Sequence, residues 1–103
     1  VYDHRYRTGV ARAKKLTGPW EKKGPPILTN NAAWVGPGHG SVVRVGDTDW
    51  FTYHAWRNAG NGTAASANGR MVLVDRITWK DGWPSIANGS PSTASQPAPG
   101  EPL

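Results

Sequence analysis

The chain has 103 residues, among them 13 glycines, 9 prolines and 6 tryptophans, and 37% of it is hydrophobic. That is the composition of a turn-rich domain, or part of one, rather than of a helical protein. The absence of cysteine excludes a disulfide framework and a thiolate metal site, and no apolar run approaches the roughly 18 residues of a membrane helix. A net charge of +5 raises the question of nucleic acid. The clustered charges, however, are Arg12, Lys14, Lys15, Lys22 and Lys23 around the Leu16-Thr17-Gly18-Pro19-Trp20 turn, with no nucleic-acid-binding motif about them. They read as a solvated hairpin rim, so neither nucleic acid nor membrane is expected as a partner. No secretory leader is visible, and a start at Val1 suggests a processed product or a fragment.

In chain order, residues 6–13 alternate loosely as a strand that ends at Gly18-Pro19-Trp20, where Trp20 can lie back over the sheet. Gly24-Pro25-Pro26 interrupts pairing, since proline cannot donate to a ladder, and Ile27-Leu28 is a short apolar anchor. Next comes Trp34-Val35-Gly36-Pro37-Gly38-His39-Gly40-Ser41-Val42-Val43, read as a glycine-rich turn that delivers one histidine to the mouth of a strand. Its glycines exceed what a reversal needs, so something approaches that backbone closely.

Residues 41–45 and 50–56 form two strands joined by Gly46-Asp47-Thr48-Asp49, a strong hairpin signal. In the second strand Trp50, Thr52, His54 and Trp56 share one face, and Phe51, Tyr53 and Ala55 share the other. Residues 58–68 are small and polar, a loop with nothing large to pack, expected to be mobile. Asn61-Gly62-Thr63 and Asn88-Gly89-Ser90 both fit the short N-glycosylation pattern. Residues 70–79 make the last strand, apolar on both faces and closed by Asp81-Gly82-Trp83-Pro84 as a turn with a built-in stop. Residues 1–88 are therefore the folded part, and 89–103, rich in Pro, Ser and Ala, a linker or tail that buries no core.

The result is an all-β reading without a helix. Strands covered on both faces suit stacked sheets, and a β-propeller sandwiches each sheet between neighbours. A blade takes roughly 40–50 residues, so about two blades are supplied. A sandwich fits the strand count as well. Six tryptophans are an excess that points to packing between sheets for most of them, or to stacking on a sugar ring.

The stretch from Trp34 to Val43, then Trp50-Phe51-Thr52-Tyr53-His54-Ala55, then Gly69-Arg70, Val74-Asp75-Arg76-Ile77-Thr78-Trp79 and Asp81-Gly82-Trp83-Pro84, resembles the C-terminal part of a glycoside hydrolase family 43 catalytic domain. Gly9-Val10-Ala11-Arg12 and Leu16-Thr17-Gly18-Pro19-Trp20 are similar to the segment that precedes it. The resemblance covers roughly residues 6 to 92. It implies part of a five-bladed propeller from an inverting arabinofuranosidase, arabinanase or β-xylosidase that acts on plant cell-wall oligosaccharides or polysaccharides, and it implies a secreted or extracellular protein.

Inverting hydrolysis needs a carboxylate base and a carboxylic acid roughly 6.5–9.5 Å apart. By the resemblance those groups lie N-terminal to the matched part, in the remaining portion of the propeller, so no catalytic carboxylate is expected in this segment, which alone should be inactive. Of the seven carboxylates present, Asp75 is the one worth weighing. A buried carboxylate paired with an arginine is the preferred reading of it.

Two positions carry over from the family. His39 matches the histidine of the central channel that meets a hydrated metal ion, often calcium, or an ordered water. Arg70 matches the arginine that reaches the pocket to contact sugar hydroxyls and a modulating aspartate, where a fixed cation keeps that aspartate ionised. Trp34 is a candidate for stacking on sugar at the rim, against the alternative of packing. A non-catalytic carbohydrate-binding piece that assembles into a ring is the competing functional reading.

Overall fold

The computed structural model describes residues 5–65 and 69–94. The start of the chain, residues 66–68 of the expected mobile loop and most of the expected tail lie outside them. The architecture is all-β, in two antiparallel sheets. Strands β1 (Ala11–Arg12) and β2 (Glu21–Lys22) pair in the smaller one. Strands β3 (Trp34–Val45), β4 (Thr48–Arg57), β5 (Arg70–Lys80) and β6 (Trp83–Ile86) form the larger one in sequential order. A four-stranded up-and-down sheet beside a fragment of another is what part of a propeller looks like.

The turns follow from local chemistry. Val45 pairs with Thr48, so the connection is the two residues Gly46-Asp47, and Gly46 has φ +61°. Glycine at the first central position is the requirement of a type II′ hairpin. Lys80 pairs with Trp83 across Asp81 and Gly82, whose φ values of 54° and 77° are both positive, as a type I′ turn demands. The turn therefore ends at Gly82. Trp83 and Pro84, expected to stop the chain, open β6 instead, and the proline is tolerated because β6 is the edge of the sheet.

The glycine-rich stretch also differs from expectation, because it is not a turn before a strand but the first half of β3. Its register against β4 slips between Val35 and Gly38 and again between Gly38 and Ser41. Such bulges bend a strand and re-aim its side chains. The close approaches are real: a Cβ on Gly38 would lie 2.2 Å from the ring of Tyr6, and one on Gly40 would lie 2.2 Å from Cζ of Phe51.

The core lies on one face of β4, where Phe51 and Tyr53 meet Leu28, Ile77 and Ile86, with Ile27 and Leu73 against them. Leu28 is brought in by the pairing of Thr8 with Leu28, so the anchor Ile27-Leu28 does its expected work. On the other face Trp50 and Trp56 are buried, while Val43 and Val72, the strand partners of Trp50 and His54, stay exposed. That face is thus only partly covered by the described residues. Of the tryptophans, Trp50 and Trp56 are packed inside, Trp34 and Trp83 are half-buried, and Trp20 and Trp79 are more than half exposed, so Trp20 does not lie back over the sheet. The basic rim is not purely solvated either. The Arg12 guanidinium lies 3.9 Å from the centre of the Trp83 ring and bonds Glu21 and the carbonyl of Asp81.

The segment after residue 88 is docked where it begins. The backbone N–H and hydroxyl of Thr29 donate to the carbonyl of Gly89, and Asn31 Nδ2 donates to Ser90 Oγ and to the carbonyl of Pro91. Pro91 is fully buried, contrary to a tail that buries nothing.

Candidate functional site

Three strands deliver the candidate residues to one end of the larger sheet. In β3, His39 sits between glycines with φ +52° and an exposed side chain. A left-handed conformation is uncommon for a residue with a Cβ, and it turns the imidazole back toward β4. There it meets His54: the ring centres are 5.9 Å apart and the planes 19° from parallel. Among the described residues His54 is the aromatic neighbour of His39.

His54 is in the middle of β4, paired with Gly38 on one side and Val72 on the other. Trp56 meets it edge-on at 5.6 Å and Tyr6 at a tilt at 6.2 Å. Its Nδ1 is buried and has no hydrogen-bond partner among the described residues. Burial, then the charges of Arg70 and His39, hold its pKa below the ordinary imidazole value, which favours the neutral ring. Arg70 opens β5 as the strand partner of Trp56, with its guanidinium 5.7 Å from the centre of that ring, a cation–π distance.

His39 and Arg70, named from sequence as separate positions, thus lie at the two ends of a run of rings, His39 on His54, His54 on Trp56 and Trp56 under Arg70. Sequence reasoning placed His54 only on a face with Trp50, Thr52 and Trp56. That alternation was a usable signal, but its pairing with Gly38 depends on the bulges in β3. Trp34, paired with Arg57, lies at the same end of the sheet. It is half-buried, and the Arg57 guanidinium sits 5.0 Å from its ring centre, so one cation already uses that aromatic surface.

The described carboxylates are occupied structurally. Glu21 pairs with Arg12, and Asp49 accepts from Arg44 and from the indole of Trp79. Asp47 and Asp81 stand in the two tight turns. Asp75 is buried on the core face, where Tyr53 Oη donates to its Oδ2 at 2.5 Å and the backbone N–H of Ser92 donates at 3.2 Å. The expected arginine partner is thus replaced by a tyrosine and a backbone amide. Burial first, then the hydrogen bond and the charge of Asp75, push the Tyr53 phenol above its ordinary pKa.

No group of three or more His, Cys, Asp or Glu that could hold a metal ion occurs among the described residues. Calcium takes oxygen ligands, whereas His39 and His54 offer nitrogen, so these residues do not by themselves form a calcium site. In the described part of the loop expected to be mobile, Asn58 Oδ1 accepts from the N–H groups of Gly60 and Gly62, and Asn58 Nδ2 donates to the carbonyl of Asn31. Asn61 and Asn88, of the two glycosylation patterns, are both exposed.

Comparison with known proteins accords with this geometry. The family profile "Glycosyl hydrolases family 43" matches residues 2–84. The chain is 28% identical over 94 residues to the extracellular exo-alpha-(1->5)-L-arabinofuranosidase ArbA of Cellvibrio japonicus (strain Ueda107), covering 82% of this chain and 25% of that protein. It is 26% identical over 117 residues to a beta-xylosidase of Bacillus subtilis (strain 168), covering 98% of this chain and 21% of the relative. A crystal structure of a thermostable family-43 glycoside hydrolase superposes with a TM-score of 0.68 at 32% identity, over 88% of this chain and 29% of that one. The chain therefore spans a quarter or less of the length of these two relatives, and its sheets are part of a β-propeller. The match over most of its residues makes this chain a member of glycoside hydrolase family 43.

Proposed function

We propose that this chain is the C-terminal portion of the catalytic propeller of an inverting glycoside hydrolase that acts on arabinose- or xylose-containing plant cell-wall oligosaccharides and polysaccharides. The observation that carries this reading is the placement of Arg70 and His39, distant in sequence, at one end of the sheet, His39 stacked on His54 and Arg70 over the Trp56 ring that meets His54 edge-on. Arg70 is the group that contacts sugar hydroxyls and keeps a neighbouring aspartate ionised. Trp34 contributes an aromatic rim. His39 offers one imidazole to a water or to a hydrated cation, for which calcium is the candidate, with the remaining ligands drawn from outside this chain. The general acid and general base belong to the rest of the propeller, the partner this segment requires, because every described carboxylate is engaged in a turn, an ion pair or the core. The name of the Cellvibrio relative supports an extracellular location.

The test uses the intact protein that contains this segment, with 4-nitrophenyl α-L-arabinofuranoside and β-D-xyloside as substrates. Arg70→Ala is expected to lower kcat/KM by about 100-fold, the scale of a lost positioning contact. Chelation is expected to slow the parent enzyme and to leave a His39→Ala variant unaffected. Activity retained within a few-fold in Arg70→Ala removes that assignment, and turnover by the isolated segment refutes the placement of acid and base elsewhere.

A further inference from the structure

We propose that His54 is a positioning residue, whose flat imidazole face fixes the orientation of His39 and whose contribution is its shape rather than its charge. The inference rests on the reading of His39 as a pocket residue and adds to it a residue that the resemblance did not single out.

His39 is exposed and sits on a bulged strand at a positive φ, so its backbone defines a direction without locking the ring. Among the described residues its one ring neighbour is His54, near-parallel at 5.9 Å. Free rotamers cost entropy when a ligand must order them, so a surface that selects one rotamer has functional value. His54 is suited to be that surface because it is itself held from several sides. It lies in the central region of β4, with the buried Trp56 edge-on to its ring and Tyr6 tilted against it. Tyr6 reaches this position only because Gly38, the strand partner of His54, has no side chain. Gly38 therefore makes room for Tyr6 against the His54 ring, while Gly40 makes room for Phe51 of the core.

A hydrogen-bonding role for His54 fits less well. Its Nδ1 is buried without a partner among the described residues, and the contact it makes with His39 is through the ring face. A phenyl group should then serve, whereas an aliphatic side chain of similar volume should not.

The intact protein decides this with three substitutions. His54→Ala is expected to lower kcat/KM by about 10-fold, the range found when a supporting residue behind a ligand is lost. His54→Leu, which fills the space without a flat face, is expected to match it, and His54→Phe to recover most of the loss. Should His54→Ala fail to fold, the comparison of Leu with Phe carries the test. Combining His39→Ala with His54→Leu should cost no more than His39→Ala alone, since residues acting as a unit are not additive. Additive losses, or a Phe variant as poor as the Leu variant, overturn the proposal.

The ring C–H signals of His39 in the histidine-labelled protein give a readout independent of turnover. One sharp set in the parent and in His54→Phe, broadened or doubled in His54→Leu, is the expected pattern. A His39 signal that His54→Leu leaves unchanged refutes the positioning role. Unimpaired turnover by His39→Ala refutes instead the assignment of His39 to the pocket, and the two failures are thereby distinguished.

Discussion

The imidazoles of His39 and His54 stack at 5.9 Å, with Arg70 over the Trp56 ring that meets His54 edge-on, an arrangement that disfavours protonation of His54. Burial is the largest cause, followed by the charges of Arg70 and His39. Tyr6 is the other titratable group against the ring. The folded-state pKa lies below the ordinary value of 6.5, so between the two values the unfolded chain binds more protons than the folded one and stability rises with pH. The intact protein should therefore lose stability as pH falls below 6.5, and His54→Phe should lose less of it. Thermal midpoints of parent and variant at neutral and mildly acidic pH measure the difference, and parallel curves would exclude the effect.

The glycines on either side of His39 lead to a second prediction. Gly38→Ala sets a methyl group 2.2 Å from the Tyr6 ring, and Gly40→Ala sets one 2.2 Å from Phe51 Cζ. Tyr6 can swing outward, at the expense of its contact with His54. Phe51 is held in the core with Leu28 and Ile77, so Gly40→Ala must overpack it, for which about 1–3 kcal/mol is typical. Denaturant unfolding of the intact protein should show the larger loss for Gly40→Ala. In turnover, Gly38→Ala should fall further than its stability explains.

These positions also show where sequence reading reached its limit. Gly46 and Asp81-Gly82 were legible as turns because positive φ leaves little choice of residue, and Arg70 was legible as the start of a strand through the alternation that follows it. The stretch from Val35 to Gly40 was not legible as a strand, since two bulges and an imposed proline erase any period of two. His54 was hidden for the same reason: a residue's strand partner is set by register, and register here depends on those bulges. The docking of Gly89 and Pro91 was equally invisible. It uses their backbone carbonyls, which any residue supplies, and the recognising groups, Thr29 and Asn31, are far away in the chain. Asp75, read as a buried carboxylate with an arginine partner, is buried, but its partner is Tyr53 on the neighbouring strand, reached diagonally from the pairing of Phe51 with Asp75.

That last pair supplies the third prediction. Tyr53 Oη donates to Asp75 Oδ2 at 2.5 Å with both residues buried. Tyr53→Phe keeps the ring stacked on Phe51 but leaves the carboxylate with the N–H of Ser92 as its remaining donor on that oxygen. A buried acceptor that loses a partner costs about 1–3 kcal/mol, and the loss should appear as a lower denaturant midpoint with an unchanged m-value. Because Ser92 continues the segment docked from Gly89 onward, that segment should also become more open to proteolysis. The phenol pKa is raised in the fold, so above its ordinary value of 10.0 the folded protein holds a proton that the unfolded chain releases. Stability from this group is therefore complete below that pH and declines as pH rises past it. The alkaline decline of the parent should be shallower in Tyr53→Phe. Identical alkaline slopes in the two proteins would show that the fold, through burial and Asp75, does not hold the phenol protonated.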